Sequence, residues 1–203
     1  MVHPWSYPSQ MDKRFLRAFL TPSRTRLCGY LAYPWCLKHR LWLEALDHPL
    51  LAGRPCTPAD LLFFAKVCAE VGDPTAVTLR DRWQRIRLQK KATYIEEAAA
   101  AHEHLRLDVW PQFWEKKDKE GAGGRNRGMP WVLSVITNLT KAGYCLEDAL
   151  NLPECQAIWL STGASIQAGG ELDILTSEDE ALLDALSRVE SPPAPSDEPR
   201  NAV

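Results

Sequence analysis

Three places in this sequence hold residue types that do chemistry. His102-Glu103-His104 sets a carboxylate between two imidazoles. Zinc proteases place their histidines at i and i+4, so both rings share one helix face, whereas i and i+2 diverge by about 200°. With no third ligand nearby, this cluster reads as a solvated helix end. Cys36 and His39, at i and i+3, could meet on a helix as nucleophile and base. No orienting acid or oxyanion loop is recognisable beside them, and the neighbours Trp35, Leu37 and Trp42 favour core packing. Gly121-Ala122-Gly123-Gly124-Arg125 lacks the lysine-Ser/Thr ending and the leading strand of a phosphate loop, so it reads as linker. The sequence therefore predicts no catalytic, cofactor-binding or metal-binding residue, and a protein that is not an enzyme.

Binding is the chemistry that remains. Arg80, Arg82, Arg85, Arg87, Lys90 and Lys91 surround Trp83 and could grip a phosphate backbone. The competing reading is a solvated helix face, neutralised by Glu96, Glu97 or an acidic C-terminal segment. No helix-turn-helix pattern is clear and the net charge is −2, which keeps nucleic acid as the second reading. Trp110 and Trp114 straddle Pro111 in LDVWPQFWEKK and are candidate partner anchors, with simple packing as the alternative. Ala157, Ser161, Ala164 and Ala168 recur at helical intervals and form a small-residue face. Such a face either packs against another helix of the same protein or receives a client helix. Trp35, Trp42, Trp83, Trp131 and Trp159 fall on helix faces that should be buried.

Composition sets the frame for these residues. With 203 residues, 45% hydrophobic and 25% charged, the chain suits one ordinary domain or two small ones. Its longest apolar run, residues 61–65, is far short of the ~20 that a membrane span needs. The opening MVHPWSYPSQMDKRF has no apolar h-region. These features predict a soluble cytoplasmic protein whose six cysteines, with no CxxC pair, stay reduced and pack as small apolar residues. Charge is unevenly spread. Residues 1–120 carry 19 Lys/Arg against 14 Asp/Glu, and residues 144–203 carry 2 against 12. The two ends could attract each other or face different partners.

Proline, glycine and capping residues mark out helices throughout, and no strand pattern stands out. Helices are predicted at 13–20, 35–46, 57–71, 75–105, 130–142, 146–150, 153–168 and 181–189. The stretch 75–105 reads as one long helix opened by Asp73-Pro74, with Leu79, Trp83 and Ile86 as its apolar stripe. Ser177-Glu178-Asp179-Glu180 fits a capping box before the last helix. The predicted class is all-α: a disordered N-terminus at 1–10, a helical domain at 11–118, a flexible linker at 119–128, a smaller helical module at 129–190 and a disordered tail at 191–203.

One stretch is similar to a known family. Residues 129–175, MPWVLSVITNLTKAGYCLEDALNLPECQAIWLSTGASIQAGGELDIL, resemble the C-terminal module of tail assembly chaperones from long-tailed bacteriophages and prophages. Pro130-Trp131 opening a helix, LEDALNLPECQAIWL, and a small-residue helix ending in glycine carry the resemblance, followed by an acidic SEDEALL segment. It implies a non-enzymatic protein of the bacterial host cytoplasm that binds the tape-measure protein. Such a chaperone keeps its client from aggregating, gives way as tail-tube subunits polymerise, and is absent from the finished particle. A structural tail or connector component is the alternative within the same setting.

Overall fold

The computed structural model describes residues 12–20, 24–113, 130–170, 174, 175, 179, 182, 183 and 185. The expected termini at 1–10 and 191–203, the linker at 119–128 and Trp114 lie outside the described residues. Local signals explain most of the element boundaries. Thr57 caps α3 (Pro58–Cys68) by a reciprocal capping box with Asp60, and Pro58 supplies the preset first-turn φ. Before it come α1 (Lys13–Leu20) and α2 (Leu37–Ala45).

The expected 75–105 helix is two helices. Thr78, not Asp73-Pro74, starts α4 (Leu79–Leu88), through a capping box with Asp81. The chain then breaks at Lys90, whose ψ of 119° is extended, before α5 (Lys91–Leu105). Arg106 follows in the left-handed conformation and a 3-10 turn covers Leu107–Val109.

The all-α expectation also needs correcting. The fold is mostly helical, with one antiparallel hairpin of β1 (Thr25–Leu27) and β2 (Tyr30–Ala32), in which Leu27 pairs with Tyr30. Its two-residue turn, Cys28-Gly29, has φ of 47° and 81°. Positive φ at both positions gives the mirror-image turn that suits strand twist. The end of the Gln84 side chain occupies the space beside Gly29 where a Cβ would sit.

Past the undescribed stretch come α6 (Trp131–Lys141), α7 (Leu146–Asn151) and α8 (Glu154–Gln167). One core gathers around α3, with Leu27, Leu43, Leu61, Phe64, Leu88 and Leu105. A second joins Leu37 of α2 to Val132, Leu139 and Ala157. A third joins Ala18 of α1 and Val109 to Cys155 and Trp159. The boundary expected at 119–128 therefore does not divide the hydrophobic core. Backbone bonds cross it as well: Glu154 N donates to Trp35 O at 2.8 Å and Leu175 N to Gln112 O at 2.8 Å. No helix among the described residues is long and apolar enough to cross a membrane.

Candidate functional site

Helix α4 is turned so that Asp81 and Gln84 face inward with Leu88, while Leu79, Trp83 and Ile86 face outward. Asp81 is 2% exposed and faces the core with Gln84 and Leu88. Its carboxylate accepts hydrogen bonds from the Tyr30 hydroxyl, the Thr78 backbone N–H and the Lys66 ammonium. Burial alone would raise its pKa, but these donors outweigh it and hold the group at about 2. A buried, fully paired Asp81 therefore fixes the roll of the helix. On the opposite side Leu79 is 82% exposed, Trp83 62% and Ile86 62%.

These three residues follow the i, i+4, i+7 spacing and make a straight apolar ridge. At 100° per residue, Arg82 and Arg85 border one side of it and Arg80 and Arg87 the other. Arg80 donates to Gly29 O and its guanidinium lies 4.4 Å from the Tyr30 ring centre. Arg87 donates to Gln84 Oε1 at 3.1 Å and lies 5.6 Å from the Trp83 ring. Arg82 and Arg85 are exposed and have no ion pair among the described residues. An exposed Trp framed by arginines is the side-chain set from which protein-binding hot spots are built. Fully burying each of the three apolar side chains is worth about 1.5–3 kcal/mol. The stripe was legible in the sequence, but Trp83 was expected to be buried. Trp42 and Trp131, 51% and 40% exposed, correct the same expectation, while Trp35 and Trp159 are buried as expected.

The other expected binding residues are mostly spent on the fold. Trp110 is half-buried and its ring centre lies 5.5 Å from that of Trp131. Ala157 and Ser161 are buried against α6, where Asn138 Nδ2 donates to Ser161 Oγ at 3.1 Å and to Ser165 Oγ at 2.9 Å. That half of the small-residue face is an internal helix contact and is closed to a client. Ala164 is half-buried and Ala168 exposed. Lys90 and Lys91 are exposed at the α4–α5 junction.

The residues with chemical potential are placed as follows. Cys36 Sγ lies 3.3 Å from His39 Nδ1, and His39 Nε2 lies 3.4 Å from Glu70 Oε1. Glu70 is thus the acid that sequence reading did not find, since it arrives from the end of α3. Burial disarms the set. Cys36 and His39 are each 3% exposed; burial pushes the thiol pKa up and the imidazole down to about 4. Both are neutral near pH 7, and a substrate cannot reach the sulfur. His102 is exposed, whereas His104 is buried and its pKa lowered to about 4 by desolvation. The pair diverges, as its spacing required. No group of three or more potential metal ligands comes together among the described residues.

Compared with protein families, with curated proteins and with solved structures, the chain matches none.

Proposed function

We propose that this protein is a helix-binding assembly factor, a tail assembly chaperone of the kind its residues 129–175 resemble. Its client is the tape-measure protein, and tail-tube subunits displace it as the tube grows. It acts by binding and performs no reaction of its own. The observation that carries this reading is the α4 ridge: Leu79, Trp83 and Ile86 stand exposed between arginines on a helix whose roll is locked by Asp81. Long apolar surface framed by charge suits an amphipathic helix laid alongside it. The small-residue face contributes only its outer end, Ala164 and Ala168.

Co-expression with the tape-measure protein tests this. The client should stay soluble with the wild-type protein and aggregate with Trp83→Ser/Ile86→Ser, whose changes lie outside the core. A client that is equally soluble with both proteins contradicts the reading.

Nucleic acid remains a second reading because Arg82 and Arg85 are exposed without ion-pair partners among the described residues. The ridge between the arginine flanks is apolar, which favours a protein partner over a phosphate backbone.

A further inference from the structure

The outer face of α4 has the pattern of one strand of a coiled coil. Apolar residues spaced four and then three apart form the a/d seam of a heptad repeat. Leu79, Trp83 and Ile86 have that spacing, which sets them at d, a and d. Arg80 and Arg87 then fall at e and Arg82 at g, the two positions that flank the seam. The opposite positions agree with this register: Asp81 and Leu88 at f and Gln84 at b are the buried residues of the helix. α4 carries four arginines and one acid, Asp81, and that acid is buried and paired with Lys66. Every charge of α4 that borders the exposed seam is therefore positive. We infer that the α4 ridge takes a heptad-repeat helix of its client, with apolar residues at a and d and Glu or Asp at e and g.

This assignment rests on the proposed role of the ridge as the client surface and adds which kind of segment it takes. Charges at e and g choose the partner of a coiled coil, because they meet the e and g residues of the facing helix. Arg82 is exposed with no ion pair among the described residues, so an acid of the client pairs with it at no cost to the fold. On the other flank Arg87 lies 5.6 Å from the Trp83 ring and Arg80 is held at the hairpin tip, where it donates to Gly29 O. Both are thereby fixed beside the seam. The large ring of Trp83 at the central a position packs best against a small side chain, Ala, Gly or Ser, on the facing helix. Two copies of α4 do not suit each other, since arginine would face arginine along the seam. A phosphate backbone would pair the arginines but leave Leu79, Trp83 and Ile86 uncovered. The ten residues of α4 span about 15 Å, so the contact draws on charge as well as apolar area and is sensitive to salt.

Fluorescence anisotropy of the full-length protein with two labelled peptides of about three heptads tests this. Both peptides have Leu at a and d, with Ala at the central a; one has Glu at every e and g, the other Lys. Like charges keep each peptide from pairing with itself. At ~50 mM salt the wild-type protein should bind the Glu peptide about tenfold or more tightly than the Lys peptide, and that preference should shrink as salt rises. Arg82→Glu/Arg87→Glu should reverse the preference, a gain for the Lys peptide that a merely misfolded protein cannot show. Arg85→Glu, at the outer c position, should weaken binding of the Glu peptide by less than Arg82→Glu does. Trp83→Ser should abolish binding of both. A wild type that binds the two peptides equally, or binds neither, overturns the inference, as does a charge reversal that leaves the preference unchanged. If that happens while Trp83→Ser/Ile86→Ser still lets the tape-measure protein aggregate, the ridge remains the client surface and only the heptad assignment falls. If the peptides behave as expected but the client is equally soluble with both proteins, the assembly-factor reading fails and the heptad preference stands.

Discussion

Arg40 of α2 and Glu154 in the first turn of α8, 114 residues apart, form a bidentate ion pair whose carboxylate is wholly buried. Arg40 Nη2 donates to Glu154 Oε1 at 2.8 Å, and Arg40 Nη1 reaches Glu44 Oε1 at 3.1 Å. The guanidinium also lies 5.0 Å from the Trp131 ring and 5.6 Å from the Trp110 ring. Burial pushes the Glu154 carboxyl pKa up while the guanidinium works against that shift. One arginine thus ties α2, α6, α8 and the segment after α5 together.

Removing that arginine strands a buried carboxylate. Arg40→Ala should lower unfolding stability by about 3–5 kcal/mol, and Glu154→Gln by less, since the amide keeps one acceptor and Arg40 keeps its ion pair with Glu44. Urea unfolding of both variants checks this. Equal losses would show that the stranded charge does not dominate.

Because the cores cross the 119–128 boundary, the two sides should remain together when the chain is cut there. With a protease site inserted between Gly121 and Gly124, the cleaved halves should co-elute in native buffer and separate only in denaturant. Fragments that part in native buffer would show that Leu37, Trp159 and the Arg40–Glu154 pair do not hold the halves.

Acid should weaken the fold through its buried histidines. His39 and His104 have pKa values of about 4, lowered from 6.5 mainly by burial, and burial also lowers His48. The unfolded chain binds these protons first, so stability is full above pH 6.5 and falls between pH 6.5 and 4. From pH 7.5 to 5 the loss is on the order of 2 kcal/mol for each of His39 and His104. Asp81, at about 2, contributes only to losses below pH 4. His104→Gln should remove about 2 kcal/mol of the pH 5 loss, and a flat stability profile from 7.5 to 5 would contradict the neutral, buried histidines.

Sequence reading recovered the helices with self-contained signals, such as α3, where Thr57, Pro58 and Asp60 sit within four residues. It missed the hairpin because Cys28-Gly29 is not a strong turn dipeptide and each strand has only three residues. Asp73-Pro74 points to a single helix over 75–105, whereas the capping box that starts α4 lies at Thr78 and Asp81 and the chain breaks at Lys90. The ridge was half legible: the Leu79/Trp83/Ile86 stripe could be seen, but its direction could not. Direction was set by Asp81 finding Tyr30 and Lys66, partners 51 and 15 residues away that no local pattern reveals. Glu70 beside His39 was hidden for the same reason.

The salt response separates the two readings of the arginines. If Arg80, Arg82, Arg85 and Arg87 gripped duplex DNA, log affinity would fall with log salt by ~0.9 per phosphate contact. No binding to a random-sequence duplex is expected even at 20 mM salt. Measurable binding that Arg82→Glu/Arg85→Glu abolishes would move the function to nucleic acid.

The most direct test of a partner surface on α4 is photocrosslinking from the ridge itself. A benzophenone amino acid replaces Trp83 in one sample and, as a control, exposed Glu96 in another, each co-expressed with the tape-measure protein. Position 83 should crosslink to the tape-measure protein, with the adduct mapping to an amphipathic helix, while position 96 should give little or none. Absence of a client adduct at position 83 while the client still co-purifies would place the binding surface elsewhere and contradict the central claim.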